Sequence, residues 1–367
     1  MFAARPTGLV LSLLLALFVV SACGPQLRRP AISQEAVGVE RDKQLELALR
    51  LWFERGDRLA LVAWQLRSRG VGLCGDDVVP YFGFAWVSTD TLGERFHKAG
   101  SKLYAIGQQP SLRQVIDGSP AAHAGLKNGD VIVEVEGHAI KDGRGLARRL
   151  AEHDGETLRL KLRRDSQLLS RTLKGVRACR YGVGLLIDDA INAFADGKSV
   201  TITSGMMRFA SSDEDLALVV GHEMAHNILD HVDKQQANVL AGVFFGALLD
   251  AAAAAAGVNT GGAGMDVGGR IGGGAFSRDF ESEADYLGTY MAARAGYRVS
   301  GAADMWRRMA VEHPSSIGGG GYLSTHPSTP ERATALERTV EEIKAKQGDG
   351  RELVPERLES SETAPVR

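Results

Sequence analysis

The sequence predicts an α+β chain in which a mainly helical domain with a small sheet carries an inserted β-rich module. Three observations predict it. Apolar residues recur at helical spacing before the module, at Leu45, Leu49, Trp52, Leu59, Val62 and Leu66, and again after it, over residues 216–226. Between them Val131, Val133 and Val135 recur at every second position, and Leu158, Leu160 and Leu162 repeat the pattern, as half-buried strands do. Cys74 and Cys179 bracket that alternating stretch. The 367 residues suffice for two compact domains with cores of their own. Lysines and arginines number 43 against 45 acids, and they are scattered rather than clustered, so no nucleic-acid partner is expected.

Residues 1–22 read as a targeting segment, with Arg5 as the positive end and an apolar stretch from Leu9 to Val20 broken only by Ser12. Val20-Ser21-Ala22-Cys23 resembles the bacterial lipoprotein processing signal, which implies cleavage before Cys23 and lipidation of that cysteine. Several acyl chains on one residue hold a protein firmly on a bilayer. Gly24 resembles the outer-membrane sorting position of Gram-negative lipoproteins. The implied location is the periplasm, at the inner leaflet of the outer membrane. Loss of the leader removes Arg5 and takes the net charge from −2 to −3. Residues 23–40, polar and proline-containing, are expected to form a membrane tether, and residues 41–75 a packing helix that ends near Gly70. With Cys23 lipidated, Cys74 and Cys179 remain as an even pair in an oxidising compartment, and a disulfide between them would tie the ends of the module together.

Residues 76–178 form that module. Residues 116–132 run strand, turn, short helix, turn, strand: Gly118-Ser119-Pro120 starts the helix, Gly125 ends it, and Asn128-Gly129-Asp130 turns into the next strand. A second helix is expected over 144–153. The Gly-Ser-Pro-Ala, Ala-Gly-Leu and Gly-Asp-Val-Ile pieces closely resemble the core of bacterial PDZ domains, a small β-sandwich or barrel with two helices. That resemblance implies a groove taking an extended peptide by strand addition. The expected groove lies between residues 112–116 and the 144–153 helix, with the loop 107–110 before it.

Residues 179–345 hold the chemistry. Asn192-Ala193-Phe194-Ala195 is a candidate edge strand for holding a substrate backbone, and residues 200–203 lead on into the apolar helix. In that helix His222 and His226, four residues apart, stand on one face and can grip one metal ion, and Glu223 borders that face. This is the zinc-peptidase pattern HExxH. Ser211 and Glu214 have capping-box spacing, with Asp213, Glu214 and Asp215 where a helix N-terminus favours negative charge. Residues 238–258 are apolar apart from Asn238 and Asp250 and read as a helix packed in the domain or touching a membrane surface rather than spanning it. Residues 257–274, with nine glycines, are expected to be a flexible flap, residues 331–346 a charged helix, and 346–367 a disordered tail.

A zinc site with an open position needs a third protein ligand. The longer motif HExxHxxGxxH would place Gly at 229 and His at 232, but the chain has Leu229 and Val232 there. His231 comes one residue early and reads as a polar helix-end residue. A carboxylate from the later helix remains, where Glu281 and Asp285 share a face at i,i+4 and Glu283 points away. One acid can ligate while the other orients a ligand histidine, and helix geometry alone does not say which.

The set His-Glu-Met-Ala-His, Ser277-Arg278-Asp279-Phe280-Glu281-Ser282-Glu283-Ala284-Asp285 and His326-Pro327-Ser328-Thr329-Pro330-Glu331-Arg332 resembles the HtpX/Oma-type gluzincins, metallopeptidase family forty-eight. The resemblance covers about 42–70 and 176–340, with the PDZ-like unit between. It implies one Zn²⁺ on His222, His226 and Glu281, Asp285 holding a ligand histidine, and Glu283 as a bystander. Glu223 would be the base, with His326 and Arg332 near the metal as catalytic groups stabilising the carbonyl oxygen. His326 could instead take the fourth zinc position and exclude water. Lipid-anchored members such as BepA and LoiP are similar in architecture but lack the PDZ insertion. The expected function is a zinc endopeptidase of the envelope acting on misfolded or unassembled periplasmic and outer-membrane proteins, with PDZ-mediated recruitment or gating. The alternative is an assembly scaffold whose PDZ groove binds peptides and whose proteolysis is latent. A homo-oligomer is compatible with either.

Overall fold

The computed structural model describes residues 30–255, 260–274, 277–312, 326 and 330–356. The leader and Cys23 lie outside them. Two compact units divide the chain, Met1–Leu45 and Glu46–Arg367. In the first, helix α1 (Gln34–Arg69) begins inside the expected tether. Ser33 explains the early start, since its hydroxyl accepts from the Ala36 N–H and Glu35 occupies the first turn.

In the second unit, α1 continues to a short turn at Val71–Leu73 and then β1 (Val78–Tyr81). The inserted module follows as β2 (Phe84–Val87), α2 (His97–Tyr104), β3 (Ser111–Val115), α3 (Pro120–His123), β4 (Val131–Val135), β5 (His138–Ala139), α4 (Gly143–Ala151), β6 (Thr157–Arg164) and β7 (Gln167–Lys174). Its sheet runs β2-β3-β4-β6-β7, with β5 hairpinned on β4. Leu112, Ile132, Leu146, Leu158, Leu162 and Leu173 form its core. Ser119 caps α3 through the Ala122 N–H with Pro120 at the first turn, and the chain leaves through Gly125 at φ +76°. The strict alternation expected of Val131, Val133 and Val135 fails in β4. The register against β6 slips between Ile132 and Glu134, and the bulge turns Ile132 and Val135 inward instead.

The groove also moves. Strand β3 pairs with β2 on one side and β4 on the other, so neither edge can accept a peptide beside residues 112–116. The outer strand on this side is β2, entered through Phe82-Gly83-Phe84, and the N-terminus of α4 packs close to it. A Cβ on Gly143 would sit 2.7 Å from Trp86 and 2.1 Å from the Ser88 hydroxyl. Asp90, just after β2, accepts from the Gly143 and Arg144 N–H groups and ties the two elements together.

The module's ends meet in a ribbon of β1 with β8 (Val176–Cys179), where Val78 pairs with Cys179 and Tyr81 with Val176. The Cys74–Cys179 disulfide closes it, with a Cα separation of 5.7 Å. The module leans on α1 through Gln114, which donates to the Asp57 carbonyl, the Arg113–Asp57 ion pair, and Phe53 against Tyr104.

Beyond the ribbon, β9 (Gly182–Leu186), β10 (Ala193–Ala195) and β11 (Ser199–Thr203) form a sheet ordered β10-β11-β9, with β11 antiparallel to β10 and parallel to β9. Helices α5 (Ser204–Phe209), α6 (Asp213–Ile228), α7 (His231–Ala255), α8 (Ala263–Gly274), α9 (Ser277–Arg294), α10 (Ala302–Glu312) and α11 (Pro330–Gly348) complete the chain. Leu66, Ile202, Val220, Met224, Tyr290, Met305 and Leu336 belong to one core shared by α1, the sheet and these helices.

Three further expectations change here. The glycine-rich stretch is no flap over 263–274; it is a helix packed on α7. Gly246 and Gly264 let the two backbones touch, and Asp250 accepts from the Gly264 and Met265 N–H groups. Residues 231–253 are long and apolar enough to cross a membrane, yet only 6% of that window is buried, so α7 is not a core helix. Residues 346–356 are ordered rather than tail-like. Lys346 donates to the Val354 carbonyl, and Arg294 donates to Glu352 and to the Leu353 carbonyl.

Candidate metal centre

Helix α6 starts one residue later than the capping-box spacing suggests. Ser212, not Ser211, caps it by accepting from the Asp215 N–H. The helix is buried through nearly its whole length, and His222, Glu223 and His226 are all in the interior. Its neighbour α9 crosses it at Gly221 and Gly288. A Cβ on Gly288 would stand 2.6 Å from the His222 backbone nitrogen, so bare backbones are needed there. This contact brings the acidic start of α9 alongside the two histidines.

His222 Nε2 and His226 Nε2 lie 3.1 Å apart. Glu281 Oε2 is 3.4 Å from the first and Glu281 Oε1 is 3.4 Å from the second. His326 Nδ1 stands 3.3 Å from His222 Nε2 and 2.8 Å from Glu281 Oε1. Ligands bonded to zinc at tetrahedral angles are about 3.3 Å from one another, given Zn–N and Zn–O bonds of about 2.0–2.1 Å. The four side chains therefore offer donor atoms near the vertices of such a tetrahedron, all within 4.8 Å of one another. Two imidazole Nε2 atoms face each other, and buried Glu281 Oε2 lacks an aligned hydrogen bond. Such a donor set fits a cation.

The two acids of α9 stand in different places. Glu281 supplies the donor, and Asp285 Oδ1 lies 3.0 Å from His222 Nδ1, a charge contact rather than an aligned hydrogen bond. Arg332 faces these two acids. Its guanidinium pairs with both Asp285 oxygens at 2.7 and 2.8 Å and reaches Glu281 Oε2 at 2.9 Å. It also lies over the Trp306 ring and is only 4% exposed, so it sits behind the donors, away from the cleft. Burial would lift the Glu281 and Asp285 pKa values. The adjoining histidines for Glu281, and Arg332 for Asp285, override that and keep both carboxylates ionised.

Glu283 and His231 depart from their expected roles. Helix α6 stops at Leu229, and Asp230 turns left-handed at φ 54°. His231 therefore opens a new helix and swings back, its Nδ1 3.0 Å from His226 Nδ1 and its Nε2 3.0 Å from Glu283 Oε2. Reading 221–231 as one continuous helix hid this contact.

A cleft of about 190 Å³ opens on the donors, lined by Phe194, Ala195, Glu223, Val232, Phe280 and His326 among others. Strand β10 is the outer strand of its sheet, so the candidate edge strand borders the cleft at Phe194 and Ala195, whereas Asn192 precedes it and bonds back to Thr203. Asn227, one residue past the second histidine, went unnoticed in the sequence. Its amide donates to the Ser199 carbonyl and accepts from the Gly197 N–H, which pins the β10–β11 turn to the metal helix.

An HExxH helix with a carboxylate from a later helix defines the gluzincin class of metallopeptidase sites. Residues 168–340 match the family model described as peptidase family M48, and residues 112–164 match that of the PDZ domain. The chain thus carries an M48 peptidase domain preceded by a PDZ domain. It is similar to "Mitochondrial metalloendopeptidase OMA1" of Schizosaccharomyces pombe, 26% identical over 49% of this chain and 53% of that one. The Arabidopsis thaliana protein of the same name is 30% identical over 50% and 36%. A Vibrio cholerae protein described as "Putative beta-barrel assembly-enhancing protease" is 32% identical over 41% and 32%. The chain spans about half or less of the length of these relatives. Among solved structures, a ligand-bound HtrA3 PDZ domain matches 27% of this chain and 88% of its own, at 20% identity and a TM-score of 0.21.

Proposed function

We propose that this chain is a zinc-dependent endopeptidase of the bacterial envelope that cuts misfolded or unassembled envelope proteins. The observation that carries the reading is the tetrahedral spacing of the His222, His226, Glu281 and His326 donor atoms, with Glu223 beside them. Zinc held by the first three would polarise a scissile carbonyl and acidify water at the site. Glu223 Oε2 is buried and has no hydrogen-bond partner among the described residues, which leaves it available to take a proton from attacking water. The same carboxyl then returns that proton to the leaving amine. The outer edge of β10 offers backbone groups to an extended substrate beside the cleft. Asp285 and Arg332 keep His222 and Glu281 in place.

The lipid anchor at Cys23 and the outer-membrane location rest on the residues 20–24 signal, and the beta-barrel assembly named for the Vibrio relative supports an envelope setting. Peptide recruitment belongs to the free edge of β2 beside α4, with the Phe82–Phe84 loop at its entrance. The decisive test is Glu223→Gln: the variant should bind zinc like the parent but leave an unfolded outer-membrane protein uncut. Undiminished cleavage would sink the mechanism.

The position of His326 favours a second, compatible reading in which the protease rests in a latent state. Its Nδ1 stands at the fourth vertex and its Nε2 is 3.6 Å from Glu223 Oε1, where water would have to enter. If scaffolding through the PDZ groove is the main role, Glu223→Gln should still rescue a deletion strain while a β2-edge variant fails.

A further inference from the structure

We propose that His231 is a positioning residue for the metal ligand His226, acting through a directional chain that ends on Glu283. The inference rests on the zinc reading above and deepens it. For His226 to present the Nε2 lone pair to a cation, its proton must sit on Nδ1. Among the described residues that N–H faces His231 Nδ1, at 3.0 Å. His231 must then accept at Nδ1, which leaves its own proton on Nε2, and that group meets Glu283 Oε2 at 3.0 Å. An ionised carboxylate only accepts, so the end of the chain sets the direction of every bond in it. Both histidine tautomers follow from the carboxylate.

Three features indicate that the arrangement is held in place. His231 is 2% exposed, its ring stacks on Phe280 at 4.4 Å and 15°, and the left-handed Asp230 sends the chain back toward His226. The two ligand histidines are thus supported differently, His222 by the Asp285 carboxylate directly and His226 through an intervening imidazole. Helix α9 provides every end point: Phe280 stacks, Glu281 donates to the metal position, Glu283 terminates one chain and Asp285 supports the other histidine. Groups behind a ligand histidine typically change metal affinity by about 10–100-fold when removed.

The test uses the full chain and zinc ion, with affinity read by competition against a chromophoric chelator. His231→Phe keeps the stacking surface and removes both nitrogens, and zinc should bind about 10–100-fold more weakly. His231→Gln, whose side-chain oxygen can accept from His226, should recover part of the loss. Glu283→Leu alters a half-exposed side chain, so the fold is kept while His231 loses its acceptor, and a smaller drop in affinity is expected. Nitrogen-15 histidine spectra of the zinc-loaded parent should show the proton on Nδ1 of His226 and on Nε2 of His231. A role in packing alone would leave the tautomers unassigned and Glu283→Leu silent. If the parent binds zinc but His231→Phe and Glu283→Leu both bind it equally well, or if His231 carries its proton on Nδ1, the proposal is overturned. Failure of the parent itself to bind zinc would instead overturn the reading of the site.

Discussion

Replacing Arg332 with Met should destabilise the metal-free protein strongly, because it takes from two buried carboxylates the guanidinium that pairs with both. Arg332, Asp285 and Glu281 have side-chain exposures of 4%, 3% and 6%, and three short contacts join them. Removing one partner of such a buried pair costs about 3–5 kcal/mol, since the remaining charge keeps its desolvation penalty and loses its compensation. Met preserves most of the volume against Trp306, so the loss reports charge more than packing. The assay is urea unfolding of parent and variant, each metal-free and zinc-loaded. Zinc supplies Glu281 with another cation, so the deficit should shrink when the metal is present. Adding Asp285→Asn to Arg332→Met should restore part of the stability by removing the orphaned charge. A metal-free loss below about 1 kcal/mol would show that water or a rearranged partner compensates the acids, and the description of a dry charge cluster would be wrong.

His326→Ala should raise basal cleavage of an unfolded substrate several-fold if the imidazole caps the site, whereas abolished cleavage would make His326 a catalytic group. Removing the Cys74–Cys179 disulfide, which closes a separation of 105 residues, should lower stability by about 4.7 kcal/mol in the chain-entropy model; equal denaturation midpoints for reduced and oxidised protein would contradict this. Burial would lower the His222 pKa, but the Asp285 and Glu281 carboxylates outweigh it and raise it to about 9. A pKa raised on folding adds stability that is complete below about 6.5 and is lost as pH climbs through about 9. Zinc must displace that proton, so its affinity should tighten by about tenfold per pH unit between about 7 and 9, and a flat profile in a chelator titration would refute a protonated His222.

Much of this protein was legible residue by residue. The i,i+4 spacing of His222 and His226, and of Glu281 and Asp285, is a property of any α-helix, so local sequence sufficed to find the ligand candidates. The capped helix at Ser119-Pro120 and the alternation of Leu158, Leu160 and Leu162 placed the module for the same reason: short-range geometry is written in short-range sequence. The misreadings arose where a local pattern was extended across an unmarked break. Asp230 carries no glycine signal for its left-handed turn, so His231 looked like a helix-end residue and Glu283 like a bystander. The β4 bulge and the flanking of β3 by β2 are pairing events, invisible in either strand alone.

The sequence by itself determined the chemistry on offer: two histidines, a base, two acids on one face and a pair of cysteines far apart in the chain. Only the tertiary structure decided the allocation of those groups. The glycine crossing of α6 and α9 set Glu281 at the donors, drew Arg332 behind them as a counter-charge and left His326 at the fourth vertex. Such assignments depend on which long-range surfaces meet, and dense packing admits few arrangements once two backbones touch.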